Sequence, residues 1–279
     1  MRLAIRHISR YHYDQPVPYA LQRLRLRPQT CPGQRVIDWQ VTVDGIAPSV
    51  SYSDGLGNRV DLVRHERNTQ QIVIVAEGTV ETEDTAGIFG TVNGVAPPWI
   101  FERVTTLTHA GECIGALAAP LRSEGKPLDS LHELMSAINS RIAYKPGTTE
   151  VGTDAETALR NGQGVCQDHA HVFIAAARLM KIPARYVSGY LLMDGMPAQT
   201  ASHAWAEAYL DGLGWVGFDA ANNTCPDEHY VRIATGLDYR DAMPVSGVRT
   251  GQGAETLIVE IDVARSQGSQ GSQGSQVQG

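Results

Sequence analysis

"GQGVCQDHAHVFIAAARLM", residues 162–180, sets a Gly-rich entry directly against one cysteine and an apolar run with two histidines. Val165, Phe173, Ile174, Ala177 and Met180 recur at helical spacing, and the run ends before Pro183, which predicts a central, buried helix. If that helix starts near Val165, Cys166 lies in its first turn, where unpaired backbone N–H groups and the helix dipole favour a thiolate. A lone cysteine serves equally well as a small apolar core residue. The choice depends on what the rest of the chain brings to it.

Upstream, "DSLHELMSAINSRI" (129–142) reads as a second amphipathic helix, with Asp129 or Ser130 as N-cap. "TDAETALRNG" (153–162) carries a Thr153/Glu156 capping box and stops at Gly162. Downstream the period changes to that of strands in "ARYVSGYLL" (184–192), "SHAWAEAYL" (202–210), "WVGFDAA" (215–221) and "ETLIVEID" (255–262).

Residues 1–85 are also β-rich. Leu24 and Leu26 alternate with arginines, and Ile37, Trp39, Val41 and Val43 are expected on one face of "RVIDWQVTVDG" (35–45). Turn signals stand at Asp44-Gly45 and in "DGLGN" (54–58), and "QQIVIVAEGTV" (70–80) follows. The expected fold is therefore α+β: an N-terminal β-sandwich (1–85), a Gly/Pro-rich linker (86–100), a mixed core (101–264) and a disordered low-complexity tail (265–279).

With 42% hydrophobic and 19% charged residues, the 279-residue chain has the composition of a soluble globular protein. Its formal charge of −7 is spread along the chain, which argues against nucleic acid or an anionic membrane as partner. No stretch of about 18 apolar residues suggests a membrane span, and "MRLAIRHISRYHY" lacks the apolar run of a secretory signal, so a cytoplasmic location is expected. Cys31, Cys113, Cys166 and Cys225 are too sparse for a disulfide scaffold and form no CxxC pair.

A nucleophile needs a base and a group that orients the base. His203 begins one predicted strand and Asp219 follows in the next. A hairpin loop over 210–212 would set them opposite one another, and one over 210–214 would make them diagonal neighbours on one face. Cys166, His203 and Asp219 would then supply thiolate attack on an amide or ester carbonyl, imidazole as base and then acid, and a carboxylate fixing the tautomer. This chemistry needs neither metal nor organic cofactor.

At these residues the chain resembles bacterial transglutaminase-like proteins of the cysteine-protease type, which join an N-terminal β domain to a papain-like transglutaminase core. The resemblance rests on "GVCQDHAHVFIAAARLMKIPARYVSGYLL", "ASHAWAEAYLDGLGWVGFDAANN" and, more weakly, "DGLGNRV", and spans nearly the whole chain apart from the tail. It implies Cys166 as nucleophile, His203 as base, Asp219 as orienting carboxylate, and a peptide or protein amide as substrate. Two departures stand out: His169 occupies a position usually aromatic, and Ala220-Ala221 replaces the Pro-Thr that usually follows the aspartate, which is expected to loosen that turn.

For the oxyanion, the Cys166 N–H is the natural first donor. Gln163 and Tyr144 are candidates for the second, against plainer roles in a loop and in packing. Asp168 suits a helix start, and Trp205 shares the strand face of His203. Two rival readings remain. One is a zinc site drawing on Cys166, His169, His171, Cys225 and His229, although residues 169 and 171 diverge around a helix. The other is a non-catalytic binding module. Within the thiol chemistry, hydrolysis is favoured over transfer to an amine because no amine-binding feature is visible.

Overall fold

The computed structural model describes residues 1–66, 68–91, 96–121, 126–195 and 197–266. Six strands come first: β1 (Arg2–Val17), β2 (Tyr19–Leu24), β3 (Gln34–Val43), β4 (Val50–Ser53), β5 (Arg59–His65) and β6 (Thr69–Thr82). After β7 (Ile88–Gly90) come α1 (Glu112–Ala118), α2 (Pro127–Arg141), β8 (Ala143–Tyr144), α3 (Ala155–Asn161), β9 (Gln163–Gly164) and α4 (Cys166–Leu179). The chain continues through β10 (Ala184–Leu191), β11 (Ala198–Gln199), β12 (His203–Leu210), β13 (Gly214–Phe218), β14 (Tyr230–Gly236), α5 (Tyr239–Ala242), β15 (Val245–Thr250) and β16 (Glu255–Arg265).

Two sheets, β11-β16-β1-β6-β3 and β15-β2-β5-β4, form the β-sandwich, packed around Leu24, Val41, Ile72 and Ile74. A third sheet, β14-β10-β12-β13-β7, is the core sheet, so the chain is α+β. Helix α4 lies on one of its faces. Small residues at Ala204, Ala206 and Ala208 of β12 let the helix approach closely and bury Phe173, Ala176 and Ala177. The two modules share apolar packing, since Leu3, Ile5 and Val80 of the sandwich join the α4 core.

The expected division at residue 101 does not describe the sheets. β15 pairs with β2 and β16 pairs with β1 along eleven residues, from Leu3–Arg265 to Tyr13–Glu255, so the C-terminal strands complete the sandwich. The expected linker is also partly structural. β7 extends the core sheet beside β13, and Phe89 and Phe101 are buried against Trp215, apolar anchors that a Gly/Pro-rich composition conceals. Residues 92–95 of that linker, and 267–279 of the expected tail, lie outside the described residues.

Three local expectations change. Ile37 is exposed because the β3–β6 register slips between Val36 and Asp38; the bulge keeps Trp39, Val41 and Val43 inward and turns Ile37 out. Helix α2 starts at Pro127 with Lys126 before it, not at Asp129 or Ser130. Helix α3 is capped by Asp154, whose carboxylate accepts from Thr157 N at 2.9 Å, because Glu156 is used elsewhere. Glu156 is buried and accepts from the backbone N–H groups of Gly111, Cys113 and Ile114 at the start of α1. Gly162 ends α3 as expected, at φ 64°, a conformation that suits a residue without Cβ.

Candidate active site

The two-residue strands β8 and β9 prepare the start of α4. They pair in parallel, Ala143 with Gln163 and Tyr144 with Gly164, which brings Tyr144 beside the helix N-terminus. Val165 is the extended N-cap and Cys166 the first helical residue, 8% exposed. Asp168 reaches back to accept from Val165 N at 2.7 Å and from Thr149 Oγ1 at 2.7 Å, fixing the turn that presents the sulfur. Gly164 is required here, because a Cβ would come within 2.7 Å of the Asp168 carboxylate. Burial nonetheless raises the Asp168 carboxyl above its ordinary value, against the bonds that favour its charge.

Strands β12 and β13 close with the pair Leu210–Gly214, and Ala206 faces Phe218. Extending that register sets Asp219 level with Trp205, so His203 and Asp219 are diagonal neighbours on one face, the second of the two hairpin cases. His203 Nε2 lies 2.6 Å from Asp219 Oδ2, which leaves Nδ1 clear of that carboxylate, and Cys166 is close enough to the imidazole to act on its charge. Burial lowers the tendency of His203 to hold a proton, but the bonds to Asp219 and Cys166 outweigh it and push the imidazole well above its ordinary pKa. Trp205 stacks on the ring at 6.2 Å.

Asp219 is fully buried, and both its oxygens are occupied. Oδ1 accepts from the N–H groups of Ala221 and Asn222; Oδ2 accepts from Asn222 Nδ2 at 2.7 Å and Tyr230 OH at 2.8 Å in addition to His203. Burial raises this carboxyl, but those donors outweigh it and hold it below the usual carboxylate range. The Ala220-Ala221 turn is not loose: Asn139 Nδ2 of α2 donates to both carbonyls, at 3.1 and 3.0 Å.

Tyr144 is half-exposed, with its ring 6.3 Å from that of His169. Burial of the phenol, then the nearby Cys166 and Asp219, push its pKa up to about 12. Gln163 sits in β9, half-buried, and its side chain makes no hydrogen bond among the described residues.

The zinc ligand set does not assemble. His169 is buried with Nδ1 on Val165 O (2.8 Å) and Nε2 on Ile142 O (3.1 Å), while His171 faces the sheet and accepts from Tyr239 N at 3.1 Å. Among the described residues Asp227, Glu228 and His229 do cluster, without either Cys166 or Cys225. Sequence reasoning missed Tyr230, Asn222 and Asn139. The alternation in "YVRIATG" (230–236) was a readable strand signal for the first, whereas nothing local marks a partner 81 residues away for the last.

Residues 115–220 match the Transglutaminase-like superfamily, and residues 3–81 match the Bacterial transglutaminase-like N-terminal region. The chain is 28% identical over 277 residues to an uncharacterized protein of Mycobacterium leprae, covering 95% of this chain and 99% of that one. An uncharacterized protein of Mycobacterium tuberculosis is 27% identical over 294 residues, covering 96% and 94%. Among solved structures, a "Putative Cysteine Protease from Cytophaga hutchinsonii" superposes with a TM-score of 0.71 at 25% identity, over 96% of this chain and 92% of that one.

Proposed function

We propose that this chain, a bacterial transglutaminase-like N-terminal region joined to a transglutaminase-like core, hydrolyses amide bonds of peptides or proteins through a thioester on Cys166. The observation that supports the reading is His203, its Nε2 2.6 Å from the buried Asp219 carboxylate and its imidazole beside Cys166 at the start of α4.

Cys166 Sγ gives its proton to His203 and attacks the substrate carbonyl carbon. The resulting oxyanion is met by the Cys166 N–H, one of the first-turn groups without an intrahelical acceptor, and by the Tyr144 hydroxyl. The C–N bond then breaks, and the leaving amine takes the proton from the imidazolium. Water, deprotonated by His203, attacks the thioester; the acid leaves and the thiol is restored. Asp219 keeps Nε2–H pointed at itself throughout, so Nδ1 is the nitrogen that exchanges protons with sulfur and substrate.

Incubation with a peptide library, read by mass spectrometry, should show acyl adducts on Cys166 and free carboxylic products. Cys166→Ala should abolish turnover with the fold retained, and His203→Ala should nearly do so. Full activity in either variant would refute the mechanism. Carrying out the reaction with added methylamine separates the alternative of transfer: N-methyl amides in place of acids would assign the chain to transamidation.

A further inference from the structure

On the face of β12 that carries His203, four residues further along and about 13 Å away at strand spacing, stands Glu207. It is fully buried and pairs with Arg185 Nε at 2.6 Å and Arg232 Nε at 3.0 Å. Two guanidiniums therefore share one carboxylate. Arg185 lies over the Trp215 ring, its Cζ 3.7 Å from the ring centre, and its Nη2 is buried without an acceptor among the described residues. Beside the pair is a cavity of about 230 Å³ on the seam between the sandwich and the core sheet. It is lined by Arg185, Arg232, Cys31, Asn58, Leu56 and Ile233 among others, and no Asp or Glu lines it.

The walls of this cavity are built, not loose. The Gln34 side chain donates to Arg232 O and accepts from Arg232 N, and that of Asn58 does the same for Thr235. Two side-chain amides thus stand in for a neighbouring strand along the edge of β14, with the cavity between them. Cys31, fixed by reciprocal backbone bonds to Gln34, lines the cavity together with Arg232.

We propose that this seam cavity binds a small organic oxyanion, its phosphate or carboxylate group held by Arg185 and Arg232 and its apolar part against Leu56. Three observations converge. The lining carries one positive charge beyond what Glu207 balances. A buried guanidinium donor is unpaired, a state that native interiors rarely leave without a ligand, ion or water. The volume is several times the ~30 Å³ share of one water, and water would leave the charge unbalanced. Burial and the neighbouring Arg232 also press Arg185 down to about 9 against the pull of Glu207, so a second anion would relieve the site.

The wild-type protein tests this directly at fixed ionic strength, with chloride as the control and inorganic phosphate or acetate as probe. Each free cysteine is followed by peptide-resolved labelling with a neutral disulfide reagent, and phosphate binding by calorimetry. An anion in the cavity should slow Cys31 labelling at least tenfold and saturably, leave Cys113 and Cys225 unchanged, and bind one per chain. Protection by phosphate alone assigns a phosphoryl group; protection by both assigns a carboxylate-sized site. Arg232→Gln leaves the Arg185–Glu207 pair intact and should raise the required anion concentration at least tenfold. Absence of binding heat with Cys31 labelling unaffected by either anion, or protection undiminished in Arg232→Gln, would overturn the proposal.

Discussion

Two buried histidines should make this fold lose stability as pH falls from 6.5, above the range where ordinary carboxylates titrate. His7 of β1 bonds Tyr190 of β10 through Nδ1 (2.8 Å) and Ser9 through Nε2 (3.1 Å), joining the sandwich to the core. His171 of α4 is wholly buried, accepts from Tyr239 N, and leaves Nδ1 without a partner. Burial depresses each from 6.5 to about 4. A histidine depressed in the folded state takes up its proton on unfolding, so its stabilisation is complete above pH 6.5 and is lost as pH falls towards 4. Each is worth about 3 kcal/mol at about 1.36 kcal/mol per pH unit. Near pH 5.3 the two together release close to two protons on folding, a slope of about 2.4 kcal/mol per pH unit. Against a total stability of roughly 5–15 kcal/mol, the ~4 kcal/mol lost by pH 5 is a large fraction, removed before the ordinary carboxylates are protonated. Urea unfolding followed by tryptophan fluorescence at pH steps from 7 to 4.5 gives the slope. His7→Gln and His171→Gln should each remove about half of it. A wild-type slope below about 1 kcal/mol per pH unit near pH 5.3, unchanged in both variants, would refute the reasoning.

The seam and the carboxylate make separate predictions. Asn58→Ala strands both backbone groups of buried Thr235 and should cost about 2 kcal/mol, lowering Tm by about 4–8 °C in calorimetry. Tyr230→Phe removes one donor holding the Asp219 carboxyl down, so that carboxyl rises and the acid limb of kcat/KM should move up by about one pH unit, with the fold retained.

What the sequence disclosed was local. The period of residues 165–180 is enough to place Cys166 at a helix start, because Asp168, Gly164 and the apolar stripe all act within one or two turns. His203 and Asp219 were legible because a short hairpin fixes parity. Pairing at long range was not: the alternation in 255–262 marks a strand equally well beside β14 or beside β1, and only packing against Leu3 and Ile5 decides it. Caps failed for a related reason. Thr153 and Glu156 satisfy a local motif, but the three N–H groups at the start of α1 form a buried demand for a carboxylate that outweighs it. "DGLGNRV" carries meaning that only the fold reveals: Asp54 accepts from Leu56 N and Asn58 N to close the turn, and the turn aims Asn58 at Thr235.

These long-range facts change how the N-terminal module relates to the site. Strand β12 alternates two messages, Ala204, Ala206 and Ala208 towards α4 and His203, Trp205 and Glu207 towards the other face. Cys166 therefore belongs to the helix on one side of the sheet, and the His203 imidazole lies on the other. Cys166 is the first residue of its helix and His203 the first of its strand, so the two approach one another around the sheet's end. On the imidazole face, Trp205 and Tyr230, which stack on and hydrogen-bond the His203–Asp219 pair, line a cleft with Gln34 and Thr85 of the N-terminal region. In this geometry the sandwich supplies the wall that keeps the histidine–carboxylate pair dry. Its strands must then be completed by β15 and β16 after the core sheet is laid down, which accounts for the chain's return to β1 and β2.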